Sequence, residues 1–135
     1  MRVSVVMGAV FGLLAVVAGA MTGHGPVAGL DSEAMRSIMT AVRYHEFGAV
    51  MIVITGLAAS IVHTKPAAFR LALSSWLFVA GTFVFSFSIY ARMLLGFEWL
   101  GPVTPLGGMC HMAGWIALGW AAFAISGAGP ARTRD

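Results

Sequence analysis

The sequence predicts an all-α protein, an integral membrane four-helix bundle, and three observations predict it. Of the 135 residues 59% are hydrophobic and only 10% charged, with a mean hydropathy of +0.90. An average soluble domain is about one-quarter charged; so few charges cannot cover an apolar interior in water, and the composition is that of a chain housed in lipid. Second, the chain contains long uncharged stretches, each roughly long enough to cross ~30 Å of hydrocarbon as a helix. Third, in lipid only a helix satisfies its own backbone in a single crossing.

The first stretch predicts a helix over about 3–22. "MRVSVVMGAVFGLLAVVAGA" has the charged start, apolar middle and small-residue end of a secretory signal, but its apolar run exceeds a usual signal core, so it reads as a membrane helix. The next segment, "GHGPVAGLDSEAMRSIMTAVRYHEF", offers Asp31 or Ser32 as a helix cap, with Glu33 at the positive end. Met35, Ile38, Met39 and Val42 then recur at helical spacing. A short amphipathic interfacial helix is expected in this first loop, running into a second membrane helix over about 44–63. Third and fourth helices are expected over about 71–92 and 105–126. Residues 1–127 form one domain on this reading, and 128–135 a disordered tail.

Lys and Arg placement sets the expected orientation. With both termini on one side, that side carries Arg2, Lys65, Arg70, Arg132 and Arg134. The other carries Arg36, Arg43 and Arg92 diluted by Asp31, Glu33, Glu46 and Glu98. Both termini are therefore expected on the cytoplasmic side, in a multi-pass protein of the inner (cytoplasmic) membrane. The net charge of +3 is scattered without a basic patch beside aromatics, which gives nucleic-acid binding no support. The single cysteine, Cys110, cannot form an internal disulfide.

Packing signals follow the same helices. Gly8, Gly12 and Gly19 offer the first helix a ridge of small residues. Thr82, Ser86 and Tyr90 share one face of the third helix, and their hydroxyls are better placed toward other helices than toward lipid tails. On the fourth, Gly107, His111 and Gly114 share a face, and Gly108 continues "TPLGG". Pro105 falls in that helix's first turn, where its missing N–H is harmless.

Local patterns in register resemble one family. "GAMTGHG" (19–25), "TAVRY" (40–44), "FSFSIY" (85–90) and "TPLGGMCHMAGW" (104–115) are similar to motifs of the YgdD/YwdK-type small four-helix membrane proteins, the domain of unknown function numbered 423, which also has small mitochondrial relatives. The resemblance runs from the first helix to about Phe123. It implies the fold and a membrane location, and no established activity. The family pattern places a histidine four residues after the tyrosine of "TAVRY"; here that position is Gly48, and His45 and Glu46 follow Tyr44 directly. His111 stands where the family is plainly apolar. His24 matches the pattern, while His45 and His111 are peculiar to this chain.

Chemistry-bearing side chains are few. His24, His45 and His111 are the candidate cofactor-binding residues, since ionisable groups at membrane depth mark functional sites and imidazoles suit haem or quinone. The plainer reading gives each a structural partner: a freed carbonyl for His24, interfacial water for His45 and Glu46, and the Thr82, Ser86 and Tyr90 stripe for His111. "MCHM" argues against copper, because on a helix Met109 and Met112 share a face while Cys110 and His111 point elsewhere. Cys110 reads as a small packing residue. The middles of the helices are expected to hold no ionisable group, which leaves a proton or ion pathway unsupported. No catalytic residue or metal ligand is assigned, since no nucleophile with a base and an orienting partner can be picked out. The expectation is a non-enzymatic accessory or assembly subunit without cofactor, packing against a larger membrane complex or itself. The alternative is a haem- or quinone-binding membrane protein.

Overall fold

The computed structural model describes residues 2–23, 27 and 29–126 and consists of α1 (Arg2–Gly23), α2 (Ser32–Ile61), α3 (Lys65–Leu95) and α4 (Thr104–Ser126), with a 3₁₀ turn (Glu98–Val103) before α4. All four helices are long and apolar enough to span a membrane. No strand occurs among the described residues. The protein is an all-α membrane bundle. The tail at 128–135 lies outside the described residues.

One expectation needs correcting at α2. The interfacial helix and the second membrane helix are not two elements but one helix of 30 residues. At 1.5 Å per residue it is about 45 Å long and overruns the hydrocarbon. Asp31 starts it, its side chain accepting from the N–H groups of Glu33 and Ala34 at 2.9 and 2.8 Å. No Gly or Pro then interrupts residues 32–47, so nothing stops the helix between the polar segment and the apolar one. Its overrunning part is held by packing: Ile38 and Val42 are buried with Val27, against Tyr90 and Met93 of α3.

The third helix also starts earlier than 71. Pro66 sits in its first turn, where a missing N–H is tolerated, so polar Lys65 and Arg70 are helical. It ends at Gly96, whose φ of 71° is the left-handed conformation glycine adopts freely. The Arg92 guanidinium pairs with Glu98 at 3.3 Å and ties the 3₁₀ turn to the end of α3. The Ser88 and Thr104 hydroxyls, 2.8 Å apart, join α3 to the start of α4.

The helices pack in chain order: α1 on α2, α2 on α3, α3 on α4. The outer pair barely meet one another. Within the most apolar window of each helix, 44% of α2 and 50% of α3 is buried, against 22% for α1 and for the segment containing α4. The interior combines Phe11, Ile52 and Phe78 with buried hydroxyls of Ser4, Thr55, Ser74, Ser75, Thr82 and Ser86. Leu, Val and Phe side chains dominate the outside.

Candidate functional site

The close approaches between helices are made where a side chain is missing. On α1, a Cβ at Gly8 would lie 2.8 Å from Val53 and 2.9 Å from Ile52, so the ridge faces α2. Gly12 lies over Ala49, and Gly19 beside Val42 and the Glu46 carboxylate. On α4, a Cβ at Gly107 would overlap the Phe85 backbone, and one at Gly114 would press on the Phe78 ring at 3.2 Å. These two glycines draw α4 onto α3. Gly108 merely skirts Phe85.

Between Gly107 and Gly114, His111 projects inward. Its ring enters a slot whose walls are two further glycines: a Cβ at Gly81 would be 3.0 Å from its Cγ and Cδ2, and one at Gly48 would be 3.2 Å from its Cε1. The Thr82 hydroxyl fills the rest of the space in front of Gly48. Tyr44, Phe78 and Phe85 surround the imidazole, with centroids 5.7, 5.9 and 6.3 Å away. Gly48 and His111 are thus in contact. The ring reaches the space beside α2 from α4.

His45 occupies a second aromatic cage, completed by α1: Phe87 at 5.2 Å, Phe11 at 5.7 Å and Tyr90 at 6.0 Å between centroids. The Tyr90 hydroxyl and His45 Nδ1 are 3.4 Å apart, the outer limit of a hydrogen bond. His45 is only 1% exposed and His111 4%.

Two expectations are overturned here. His45 does not reach interfacial water; its position on α2 turns it between α1 and α3, while neighbouring Glu46 is the exposed one. Nor does His111 hydrogen-bond the hydroxyl stripe. Ser86 donates instead to the Ala41 carbonyl at 2.9 Å and Tyr90 meets His45. Both nitrogens of His111, Nε2 of His45 and Oγ1 of Thr82 are buried without a hydrogen-bond partner. Both imidazoles thus lie buried within helices of membrane-spanning length. His24 lies outside the described residues.

Sequence reasoning missed the hydroxyls that join helices directly. Ser74 donates to the Gly114 carbonyl at 2.8 Å and Ser75 to the Ile52 carbonyl at 3.2 Å. Ser75 lies seven residues before Thr82, two helical turns along the same face, and that spacing was the available signal. The MCHM segment splits as its periodicity requires: Met109 and Met112 are exposed, Cys110 is half-buried and His111 points inward. No group of three or more metal-ligating side chains occurs among the described residues.

Four membrane-length helices joined by glycine contacts and hydroxyl-to-carbonyl bonds define a small multi-pass helical membrane protein. The family model described as "protein of unknown function (DUF423)" matches residues 18–108, and the chain belongs to that family. Its relatives are membrane proteins. It is 30% identical to the UPF0382 membrane protein YwdK of Bacillus subtilis over 87% of this chain and 94% of that one. It is 33% identical to a UPF0382 membrane protein of Haemophilus influenzae over 85% of this chain and 89% of that one, and 28% identical to the UPF0382 membrane protein SAB0533 of Staphylococcus aureus over 94% of this chain and 100% of that one. No solved structure matches.

Proposed function

We propose that this membrane protein is a non-enzymatic accessory or assembly subunit, working by packing against a larger membrane complex or another copy of itself. The observation that carries the reading is the open arrangement of the helices: α1 and α4 each have one close neighbour and barely touch each other. Each leaves a long outer face, Val3, Val6, Val10 and Leu13 on α1 and Met112, Ile116 and Phe123 on α4. The reading includes residence in the inner (cytoplasmic) membrane with both termini in the cytoplasm, supported by Arg2, Lys65 and Arg70 on the side of the termini.

The experiment is native mass spectrometry on the protein taken from its own membrane in polymer nanodiscs. Stoichiometric larger membrane subunits, or a homo-oligomer, support the reading; a lone chain at all loadings overturns it. Labelling of single cysteines placed near each terminus tests the orientation.

A second reading has the unpartnered nitrogens of His45 and His111 in its favour: haem or quinone taken up by one of the rings, with His24 as a further candidate. A single ligand shared by His45 and His111 does not fit, because it would have to part α2 from α3 where Gly48 meets Thr82. If bound, haem would supply electron transfer, and quinone the same with protons; the chain's part would be to hold the group by a ring nitrogen within an aromatic cage. An absorption spectrum and extraction of the purified protein decide. A Soret band or stoichiometric quinone, lost in His45→Ala or His111→Ala, would displace the packing reading.

A further inference from the structure

The outward face of α2 carries two opposite charges at nearly one depth. Arg43 and Glu46 are three residues apart, about 4.5 Å along the axis, and both are exposed. They make no ion pair with one another: the ion pair among the described residues is Arg92–Glu98. They lean to opposite flanks instead. Arg43 lines a cleft with Tyr44, Phe47 and Trp115 on the α4 side. Glu46 closes the end of a groove on the α1 side, whose floor is Gly8, Gly12 and Ala49 and whose volume is about 550 Å³. The Glu46 carboxylate rests against Gly19, inside the span of α1.

The two flanks are also opposite in shape. The α1 side is a trough with small residues on its floor and Val16, Val50, Val53 and Ile54 along its walls. The α4 side is a ridge of rings: Phe47 is 44% exposed and Trp115 46%, and their centroids are 5.6 Å apart. Charges facing lipid are costly and are normally paired, and small-residue troughs in membranes receive neighbouring helices.

We infer that the occupant of this face is a second copy of the chain, related by a two-fold axis along the membrane normal and running between the two α2 helices. Two copies inserted with one topology are parallel, so residues meet partners at their own depth. A two-fold axis through the face sets the α1 side of one copy against the α4 side of the other. Glu46 of each then faces Arg43 of its partner, within reach of the long arginine stem, and the Phe47–Trp115 ridge of each faces the partner's trough. Charge and shape are satisfied twice by one operation, the self-complementarity a two-fold interface requires. An anionic lipid at Arg43 would satisfy one charge and leave Glu46 unpaired.

This inference rests on the packing reading above and narrows it to self-association. The test is crosslinking in liposomes with Val50→Cys, on the centre line of the face and 55% exposed, in a Cys110→Ser background. Oxidation is expected to yield a covalent dimer. Glu46→Arg alone and Arg43→Glu alone should each lower the crosslinked fraction about tenfold, and the double swap Arg43→Glu/Glu46→Arg should restore it. Each variant's helix content by circular dichroism shows whether it has folded, and recovery in the double swap is a result misfolding cannot give. Crosslinking indifferent to the charges, or a dimer joined through Phe123→Cys on α4 instead, overturns the assignment of the face. A chain that stays monomeric at every protein-to-lipid ratio overturns the dimer. If that same chain comes out of its native membrane with a stoichiometric larger subunit, the dimer falls and the broader packing reading stands.

Discussion

The His45 cage and the His111 slot enclose the same side chain with rings of the same kind, yet the helices build them differently. His45 grows from α2, and its cage is assembled from side chains: Phe11, Phe87 and Tyr90, the last holding Nδ1. His111 grows from α4 and enters a space made by the absence of side chains at Gly48 and Gly81. The first is a packed site with a polar anchor. The second is a tight steric fit with none, since both His111 nitrogens and the Thr82 hydroxyl lack partners. Polar groups and tight fits thus do separate jobs in this bundle: glycines set how close the helices come, and hydroxyls fix them where they bond to carbonyls.

The largest test of that division is Gly107→Val. Its Cβ would overlap the Phe85 backbone, which cannot turn aside as a side chain can. A loss of about 3 kcal/mol, or failure to fold, is expected in unfolding by SDS from mild detergent. A near-neutral result would mean that α4 does not sit as close to α3 as the glycines require.

Gly48→Ala comes next. The new methyl meets the Thr82 side chain and lies 3.2 Å from His111 Cε1, for an expected loss of about 1–2 kcal/mol. Adding Thr82→Ala should recover part of it, because the closest atom, Thr82 Oγ1, is then gone while Cβ at 3.1 Å and His111 Cε1 at 3.2 Å remain. Strict additivity in this double-mutant cycle would separate the two positions.

A smaller effect separates the two cages directly. Tyr90→Phe keeps the ring and removes the hydroxyl beside His45, and a loss of about 0.5–1 kcal/mol is expected. Thr82→Val is close in shape and removes a buried hydroxyl with no partner. It should leave stability unchanged or raise it by about 0.5–1 kcal/mol. A loss on Thr82→Val that Thr82→Ala does not share would show that the methyl is too large for the space beside Gly48. Smallest of all, Gly108→Ala adds a methyl 3.9 Å from the Phe85 ring, ordinary van der Waals contact. A change within about 0.5 kcal/mol is expected, against the large loss expected at Gly107 one residue away.

The class of fold was legible because lipid allows so few solutions. Apolar runs of spanning length, without charges, leave the backbone only the helix. The ridge on α1 was legible too, since i, i+4 spacing puts small residues on one face whatever that face meets; Gly81, which walls the His111 slot, was not. Helix ends were less so: a charge does not break a helix, so Lys65 and Arg70 are helical with Pro66 tolerated in the first turn, and residues 32–43 are helical because no Gly or Pro stops them. The histidines were misread for a related reason. His45 and Glu46 are neighbours in sequence but about 100° apart around α2, so one enters the bundle and the other faces out.

Sequence by itself determined that this chain is a bundle of membrane helices, that small residues on α1 and α4 allow close packing, and that a helix begins at Asp31 or Ser32. Those outcomes are local, set by backbone hydrogen bonding and by the presence or absence of a Cβ. Only the tertiary structure decided that His111 meets Gly48, that Ser86 bonds to Ala41 rather than to a histidine, and that Arg43 and Glu46 turn to opposite flanks of one face. Each depends on how α2 is rotated between its neighbours, and that rotation is set jointly by all the contacts along three helices, which no single stretch of sequence contains.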